Sequence, residues 1–301
     1  MSPGKVAVFG VPTAAGAGRS GVERGPFALR EAGLLAALKD QGLAVVNLAD
    51  LSLFPFRDDP EHPRARNAAG VACALRAAAD EMPRALAEGF TVVLGGDCSL
   101  VAGVAAGASR FLGQPLGLVY LDADADLNTP ESTPSGRLSG MALGLALGRG
   151  PSEVVTAVQP GLAPEHVSLL GFRALDAGER AAVGDLGLAL PAVAVRKLGP
   201  RAAAALALDG VENGDGPILI HLDVDVIDPA EMPVKARSTP GQALSLAEVS
   251  DLLAALCASP RVRAIEVAEF DPAGDPHGLF ARHLVALVVR AVTRQLKARK
   301  A

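Results

Sequence analysis

Short runs of β-branched and apolar residues alternate with longer stretches rich in Ala and Leu along the whole of this 301-residue chain. The residues in the short runs are nearly all apolar, as expected for strands that are covered on both faces of a sheet. The candidate strands are Val6–Phe9, Ala44–Leu48, Thr91–Leu94, Leu116–Leu121, Val167–Leu170, Ile218–Leu222 and Ala264–Ala268. The alternation predicts βαβ units, and therefore a parallel sheet with helices on both faces.

The stretches between these runs predict helices at Pro26–Asp40, Ala68–Glu88, Leu100–Leu112, Ser245–Ala258 and Leu279–Lys297. No repeat, charge block or long linker divides the chain, so we expect one domain over residues 1–301. Three irregular segments rich in Pro, Ser and Gly are predicted to be loops at strand ends, where α/β folds bind their ligands. These segments are Phe54–Asn67, Thr129–Arg137 and Asp228–Gly241.

The composition argues against several functional classes. The net charge of −5 disfavours a nucleic acid or an anionic membrane as partner, since both require a basic face. The chain has no Trp and one Tyr, so an aromatic platform for bases or sugars is not expected. No apolar run reaches the roughly 18 residues of a membrane span. Three scattered cysteines predict no disulfide framework, which favours a cytoplasmic protein, and Cys73 and Cys257 are expected to be packing residues in helices.

Acidic residues gather where four of the predicted strands end. The Thr91–Leu94 run is followed by GGDC, the Leu116–Leu121 run by DADADLN and the Ala264–Ala268 run by EFDP. The Ile218–Leu222 run leads into DVD. Because parallel strands bring their carboxyl ends to one edge of a sheet, we expect these acidic residues to line one crevice.

The spacing of the acidic residues predicts a metal site. Strand alternation groups two sets of side chains on one face each, provided that the extended backbone continues that far: Asp122, Asp124 and Asp126, and His221, Asp223 and Asp225. Carboxylates crowded in this way cannot all stay ionised in a low-dielectric crevice without a cation. One divalent ion binds only a few of them, so two divalent ions about 3.5–4 Å apart are the simplest arrangement.

Six segments resemble, in order and spacing, those of the arginase–agmatinase (ureohydrolase) family of binuclear manganese hydrolases, and of its arginases in particular. They are Ser20–Leu34, which resembles the N-terminal arginase segment; Gly95–Ser99, similar to GGDHS; Asp122–Pro130, similar to DAHxDxNTP; Gly171–Glu179, similar to GLRDxDxGE; Asp223–Pro229, similar to DxDxxDP; and Glu269–Pro272, similar to ExNP. The resemblance implies a three-layer α-β-α fold with a central, mostly parallel sheet of about eight strands. It also implies a homotrimer or homohexamer.

Carried over residue by residue, the resemblance implies roles for single side chains. The implied metal ligands are Asp122, Asp126, Asp223 and Asp225, and the implied catalytic residues are Glu269 and Asp126. Glu269 matches the carboxylate that pairs with the substrate guanidinium, for which it offers a planar pair of acceptor atoms. Asn128 and Ser135 match residues that contact the substrate α-carboxylate, and Asp176 matches one that recognises the α-amino group. This set favours a small guanidino amino acid of the arginine type over agmatine, which has no carboxylate.

Three positions depart from the family pattern. Cys98 and Asp124 stand where the family has two histidine ligands, and Ser139 stands where it has a proton-shuttling histidine. Cys98 and Asp124 can themselves bind a metal, so we keep both as candidate ligands. The alternative for Cys98 is a small buried thiol behind the glycine turn. Ser139 is assigned no catalytic role.

These replacements change the charge of the predicted centre. Four aspartates and two neutral imidazoles carry a formal −4, which balances two divalent ions, whereas five aspartates and a thiolate carry −6. The excess negative charge should weaken the Lewis acidity of the ions and raise the pKa of a bound water. A thiolate favours zinc or ferrous iron over the manganese that the resemblance implies. We therefore hypothesise slowed arginase-type hydrolysis, or a site with one metal, a softer metal or none.

Two questions stay open on the sequence alone. His221 can return one nitrogen to the site, or it can be a strand residue hydrogen-bonded to a neighbouring loop. The chain can be an enzyme in which a metal-activated hydroxide cleaves the guanidino C–N bond of arginine, or of N-hydroxyarginine, to a urea and an amine such as ornithine. Alternatively, it is a catalytically impaired relative that acts as an amino-acid sensor or as a partner subunit.

Overall fold

A computed structural model describes residues 4–113, 115–211, 214–233 and 242–298 of the chain. In this part of the chain eight parallel strands form one sheet, in the order β2-β1-β3-β8-β7-β4-β5-β6. The strands are β1 Lys5–Val11, β2 Ala44–Asn47, β3 Phe90–Gly95, β4 Gly117–Leu121, β5 Val167–Leu170, β6 Leu188–Leu190, β7 Ile218–Asp223 and β8 Val262–Ala268. The predicted parallel sheet is confirmed, and the seven candidate strands all lie in it, each within two residues of its predicted bounds.

Helices cover both faces of the sheet. Between the described ends of the chain they are α1 Gly25–Glu31, α2 Leu34–Asp40, α3 Ala68–Glu88, α4 Val101–Leu112, α5 Ala142–Ala146, α6 Ser152–Ala157, α7 Arg180–Val183, α8 Ala192–Leu198, α9 Pro200–Asp209, α10 Leu246–Leu256 and α11 Leu279–Ala298. Short 3-10 turns lie at Val22–Arg24, Cys98–Leu100, Ser139–Met141, Pro164–His166, Val224–Val226 and Pro272–Gly274. Helices α3 to α7 pack on one face and α1, α2 and α8 to α11 on the other. The three-layer α-β-α fold is thus confirmed.

Two local predictions were wrong. The predicted helix Pro26–Asp40 is two helices, because Gly33 adopts a left-handed backbone with φ of 91° and breaks the first one. Cys73 is exposed on the outer face of α3 and does not pack in the core, whereas Cys257 is buried as expected. Of the predicted loop Asp228–Gly241, residues 234–241 lie outside the described residues.

The sheet order brings the four acidic strand ends together. Strands β3, β8, β7 and β4 are consecutive neighbours at the centre of the sheet. All four run parallel, so their carboxyl ends meet at the same edge. Among the described residues, no helix combines the length and the apolar character that crossing a bilayer demands.

Candidate metal centre

The turn after β3 places Cys98 at the floor of the site. Asp97 is buried and accepts hydrogen bonds from the Gly16 amide (3.1 Å), the Thr13 hydroxyl (3.2 Å) and the Ser99 amide (3.2 Å), which fixes the turn. Burial, assisted by the charge of Glu269, raises the pKa of Asp97 to about 6. The Cys98 thiol lies 3.5 Å from a carboxylate oxygen of Asp126.

The position before this turn, Gly96, requires a glycine for steric reasons. A Cβ at Gly96 would lie 1.8 Å from the carbonyl oxygen of Thr13, so no other residue fits there without moving the backbone. The carbonyl of Gly96 in turn accepts from the amide of Glu269 at 2.7 Å. The two strand ends that carry Cys98 and Glu269 are therefore held together through the backbone.

The acidic run after β4 leaves the strand at once. The strand ends at Leu121, and Asp126 has a left-handed φ of 50°, so the extended backbone does not continue and strand alternation does not group these aspartates. A turn brings two of them together instead, with the Asp124 amide donating to Asp122 at 2.8 Å. Asp122 and Asp126 are buried, whereas Asp124 is exposed.

The acidic run after β7 follows a similar turn. Asp223 is the last residue of the strand, and its carboxylate accepts from the Asp225 amide at 2.8 Å, which caps the 3-10 turn Val224–Val226. Asp225 accepts in addition from the Ala123 amide at 3.3 Å. The two acidic turns are thereby joined side by side.

Glu269 follows β8 and points to the same place. Its backbone has a left-handed φ of 64°, and its carboxylate accepts from the Cys98 amide at 3.2 Å. A non-glycine residue in this conformation costs about 1–3 kcal/mol and is found mainly at functional sites. The conformation turns the side chain of Glu269 off the line of the strand and into the crevice.

The ligand atoms of these residues form overlapping groups. In each of three groups the candidate ligand atoms lie within 4.8 Å of one another: Cys98, Asp223 and Glu269; Asp122, His221 and Asp223; and Asp122, Asp124 and Asp225. Every member except Asp124 is buried. So many carboxylates at such distances destabilise a folded protein unless protons or cations neutralise them. Oxygen ligands with one sulfur and one nitrogen fit divalent cations of intermediate softness, so these residues suit a divalent metal, with zinc or ferrous iron favoured over the manganese that the motifs imply.

A cavity of about 300 Å³ opens above the acidic floor. Cys98, Asp124, Asp126, Ser135 and Glu269 line it, together with Arg19, Arg137 and Asp271, to which the sequence analysis assigned no individual role. Ser139 also lines the cavity, and its carbonyl accepts from the Cys98 thiol at 3.2 Å. The cavity therefore joins an acidic floor to a wall that carries a cation.

The residues matched to the substrate's amino-acid end lie in two places. Ser135 lines the cavity, but Asn128 and Asp176 do not belong to its lining. These two residues contact each other, with the Asn128 amide donating to Asp176 at 2.9 Å. Buried Glu179 ties their loops together, since it accepts from the amides of Leu127 (3.0 Å) and Asp176 (2.8 Å). Burial raises the pKa of Glu179 above its usual value.

A layer of polar side chains lies in the sheet beneath the aspartates. His221 contacts Glu266 on β8, with 3.1 Å between Nδ1 and Oε2, so its partner is a strand residue and not a loop. The Tyr120 hydroxyl donates to Asp126 at 2.7 Å. Burial, with the charge of Asp126 next in size, raises the pKa of Tyr120 well above its usual value and keeps this hydroxyl a donor.

Sequence reasoning missed Tyr120 and Glu266 as parts of the site. Tyr120 offered one signal, because it is the sole tyrosine and precedes Asp122 by two residues in a strand. Glu266 offered another, because it is a charged residue inside an otherwise apolar strand. A charge in a doubly covered strand requires a partner.

Comparison with known proteins agrees with this geometry. The model of the arginase family matches residues 4–293. An arginase from Brucella melitensis is 31% identical over 299 residues, with 96% of each chain covered. Among solved structures, arginase from Bacillus caldovelox superposes with a TM-score of 0.87 at 29% identity, covering 97% of this chain and 98% of that one. Arginase from Bacillus cereus gives a TM-score of 0.85 at 30% identity, covering 95% and 97%.

The match runs through nearly the whole chain and includes each strand end that builds the acidic crevice. The chain therefore belongs to the arginase family, whose members are hydrolytic enzymes.

Proposed function

We propose that this chain is a metal-dependent hydrolase that cleaves the guanidino C–N bond of arginine or an arginine-like amino acid. The observation that carries the proposal is the meeting of Glu269 with Cys98 and the aspartates at four adjacent strand ends, beneath a cavity of small-molecule size. The arginase relatives at about 30% identity support the same reaction.

The residues that would hold the metal are Cys98, Asp122, Asp124, Asp126, Asp223 and Asp225. When bound, divalent ions lower the pKa of water and so supply a nucleophile at neutral pH. The family resemblance favours two manganese ions, whereas the thiolate of Cys98 favours zinc or iron.

Glu269 orients the substrate. Its carboxylate matches the two parallel N–H groups of a guanidinium, and such paired charge-assisted hydrogen bonds fix both position and plane. The hydrogen bond from the Cys98 amide holds this carboxylate in place. The guanidino carbon is thereby kept over the acidic floor, where water adds to it.

The cation of Arg137 suits the other end of the substrate. Arg137 and Ser135 lie on the same wall of the cavity, and the amide of Arg137 donates to the Ser135 hydroxyl at 3.3 Å. A guanidinium and a hydroxyl together recognise a carboxylate. An amino-acid substrate therefore fits better than agmatine, with Asp176 and Asn128, which lie outside the cavity lining, as further candidates.

Within the residues that the structure describes, the site lacks an evident donor for the proton that the leaving amine requires. As water adds, the bond from the guanidino carbon to the chain nitrogen breaks, and a proton must reach the departing amine to give ornithine. In the described part of the chain no histidine lines the cavity, and the hydroxyl of Ser139 does not titrate near neutral pH. We therefore expect slow turnover of arginine. N-hydroxyarginine, with a less basic guanidino group, is a candidate for faster turnover.

Urea release tests the proposal. Purified protein is supplied with manganese, zinc or ferrous iron and assayed on arginine, N-hydroxyarginine and agmatine. We expect urea or hydroxyurea from at least one of the two amino acids, and less product from agmatine. The Glu269→Gln variant is the matched control, because it keeps the size of the side chain and removes its charge. Absence of product on every combination would contradict the proposal.

A non-catalytic role is the second candidate, because three family histidines are replaced in this chain. Such a protein would bind a guanidino amino acid as a sensor or serve as a partner subunit. A rise in the unfolding temperature with arginine, without urea release, would support it. We also propose a single domain in a homotrimer or homohexamer, which light scattering after gel filtration would test.

A further inference from the structure

Three buried polar side chains lie side by side across the centre of the sheet. Tyr120 on β4 pairs in register with His221 on β7, which pairs with Glu266 on β8. Each of the three is 0% exposed. Tyr120 and His221 each lie two residues before an aspartate of the crevice, Asp122 and Asp223 respectively. This polar layer therefore lies directly beneath the acidic crevice.

The imidazole of His221 is held in one orientation. Its ring stacks on that of Tyr120, with the centroids 4.3 Å apart and the planes 13° from parallel. Its Nδ1 lies 3.1 Å from Oε2 of Glu266. In the tautomer that donates Nδ1–H to the Glu266 carboxylate, Nε2 presents a lone pair.

Nε2 of His221 has a polar environment but no hydrogen bond. Among the described residues, no group donates to it or accepts from it. A buried nitrogen left in this state destabilises the fold unless a ligand supplies the missing partner. A ring nitrogen of His221 nevertheless lies within 4.8 Å of carboxylate oxygens of both Asp122 and Asp223. Because Nδ1 is engaged by Glu266, Nε2 is the nitrogen that remains for this group.

We infer that His221 is a metal ligand through Nε2, and that Glu266 is the residue that positions it. The inference rests on the proposed metal-dependent function. A histidine that donates Nδ1–H to a carboxylate and offers Nε2 to a cation is a common arrangement at metal sites. It accounts for a buried His–Glu pair directly beneath the acidic crevice.

Ligation by His221 also affects which metal the centre prefers. A neutral imidazole adds a ligand without adding to the formal −6 of the five aspartates and Cys98. An imidazole nitrogen, like the thiolate of Cys98, favours zinc or ferrous iron over manganese. Cys98 and Asp124 replace two histidine ligands of the family. His221, which lies inside the sheet, would provide one nitrogen ligand in their place.

X-ray absorption at the zinc edge tests the inference without relying on activity. The full chain is freed of metal, loaded with one equivalent of zinc and measured as wild type, His221→Gln, Glu266→Gln and His277→Gln, the last being an exposed control. We expect outer-shell scattering typical of imidazole in wild type and in the control, and its loss in His221→Gln. Zinc affinity measured by calorimetry should fall about 10- to 100-fold in Glu266→Gln, because the positioning carboxylate is lost.

The outcomes separate this inference from the proposed function. Wild-type protein that binds zinc and releases urea, but shows no imidazole scattering, overturns the inference alone. Protein that binds no metal overturns both. Should His221→Gln fail to fold, the wild-type spectrum and the Glu266→Gln affinity still decide, since unchanged affinity in Glu266→Gln contradicts the positioning role.

Discussion

Replacing Tyr120 with Phe isolates one hydrogen bond at the metal centre. The Tyr120 hydroxyl donates to Asp126 over 2.7 Å, and both side chains are buried. Phe keeps the ring that stacks on His221 and removes only the hydroxyl. The variant therefore reports on the hydrogen bond and not on packing.

The expected loss has two parts. A buried hydrogen bond to a charged acceptor contributes about 1.5–3 kcal/mol, so the free energy of unfolding of the metal-free protein should fall by that amount. Asp126 is also a candidate ligand, and loss of a group that orients a ligand weakens metal binding about 10- to 100-fold. Urea denaturation in the presence of a chelator measures the first quantity, and calorimetric titration with zinc measures the second.

Ser168→Ala is the matched control. Ser168 lies on β5, and its buried hydroxyl donates to the neutral carbonyl of Ala207 at 2.8 Å, away from the acidic crevice. Its removal should cost about 1 kcal/mol and leave zinc affinity unchanged. If Tyr120→Phe lost no more stability than Ser168→Ala and bound zinc as wild type does, the role given to Tyr120 would be refuted.

Three further substitutions test the other parts of the site. Glu269→Gln should lower kcat/KM for the amino-acid substrate at least about 100-fold, because a charge-assisted guanidinium contact is lost, while zinc affinity in calorimetry persists; near wild-type kinetics would contradict this. Cys98→Ser should lower zinc affinity about 10- to 100-fold and change manganese affinity little, and an equal effect on both metals would argue against thiolate ligation. Arg137→Gln should raise KM for arginine about 10- to 100-fold without affecting agmatine, and equal changes for the two substrates would exclude a carboxylate contact.

The individual strands and helices could be predicted because each is indicated by the residues of its own segment. Strands such as Val167–Leu170 consist of apolar residues covered on both faces, and the run has the same bounds in the sequence and in the structure. The edge strand β6 was missed, since Leu188–Leu190 is three residues long and only partly buried. The order of the strands depends on contacts between distant segments, which periodicity does not record. The resemblance to a family supplied the expectation of about eight strands.

The site was predictable in its residues but not in its geometry. The pairing of Asp122 with Asp124, and of Asp223 with Asp225, was expected from strand alternation, yet turns stabilised by backbone amides produce both pairs. The left-handed conformation of Glu269 has no sequence signal, because such a conformation is favoured by glycine. The contact between Asn128 and Asp176, outside the cavity lining, also depends on how two loops meet.

The proposed centre requires cations among the buried carboxylates at the ends of β3, β4, β7 and β8. The most direct measurement is the metal content of the purified chain by mass spectrometry, with its unfolding temperature recorded before and after chelation. We predict bound divalent metal, a lower unfolding temperature after chelation, and recovery on adding zinc or manganese; metal present at 100 times its Kd stabilises by about 2.7 kcal/mol. A folded chain that holds no metal and unfolds at the same temperature under all three conditions would contradict the account.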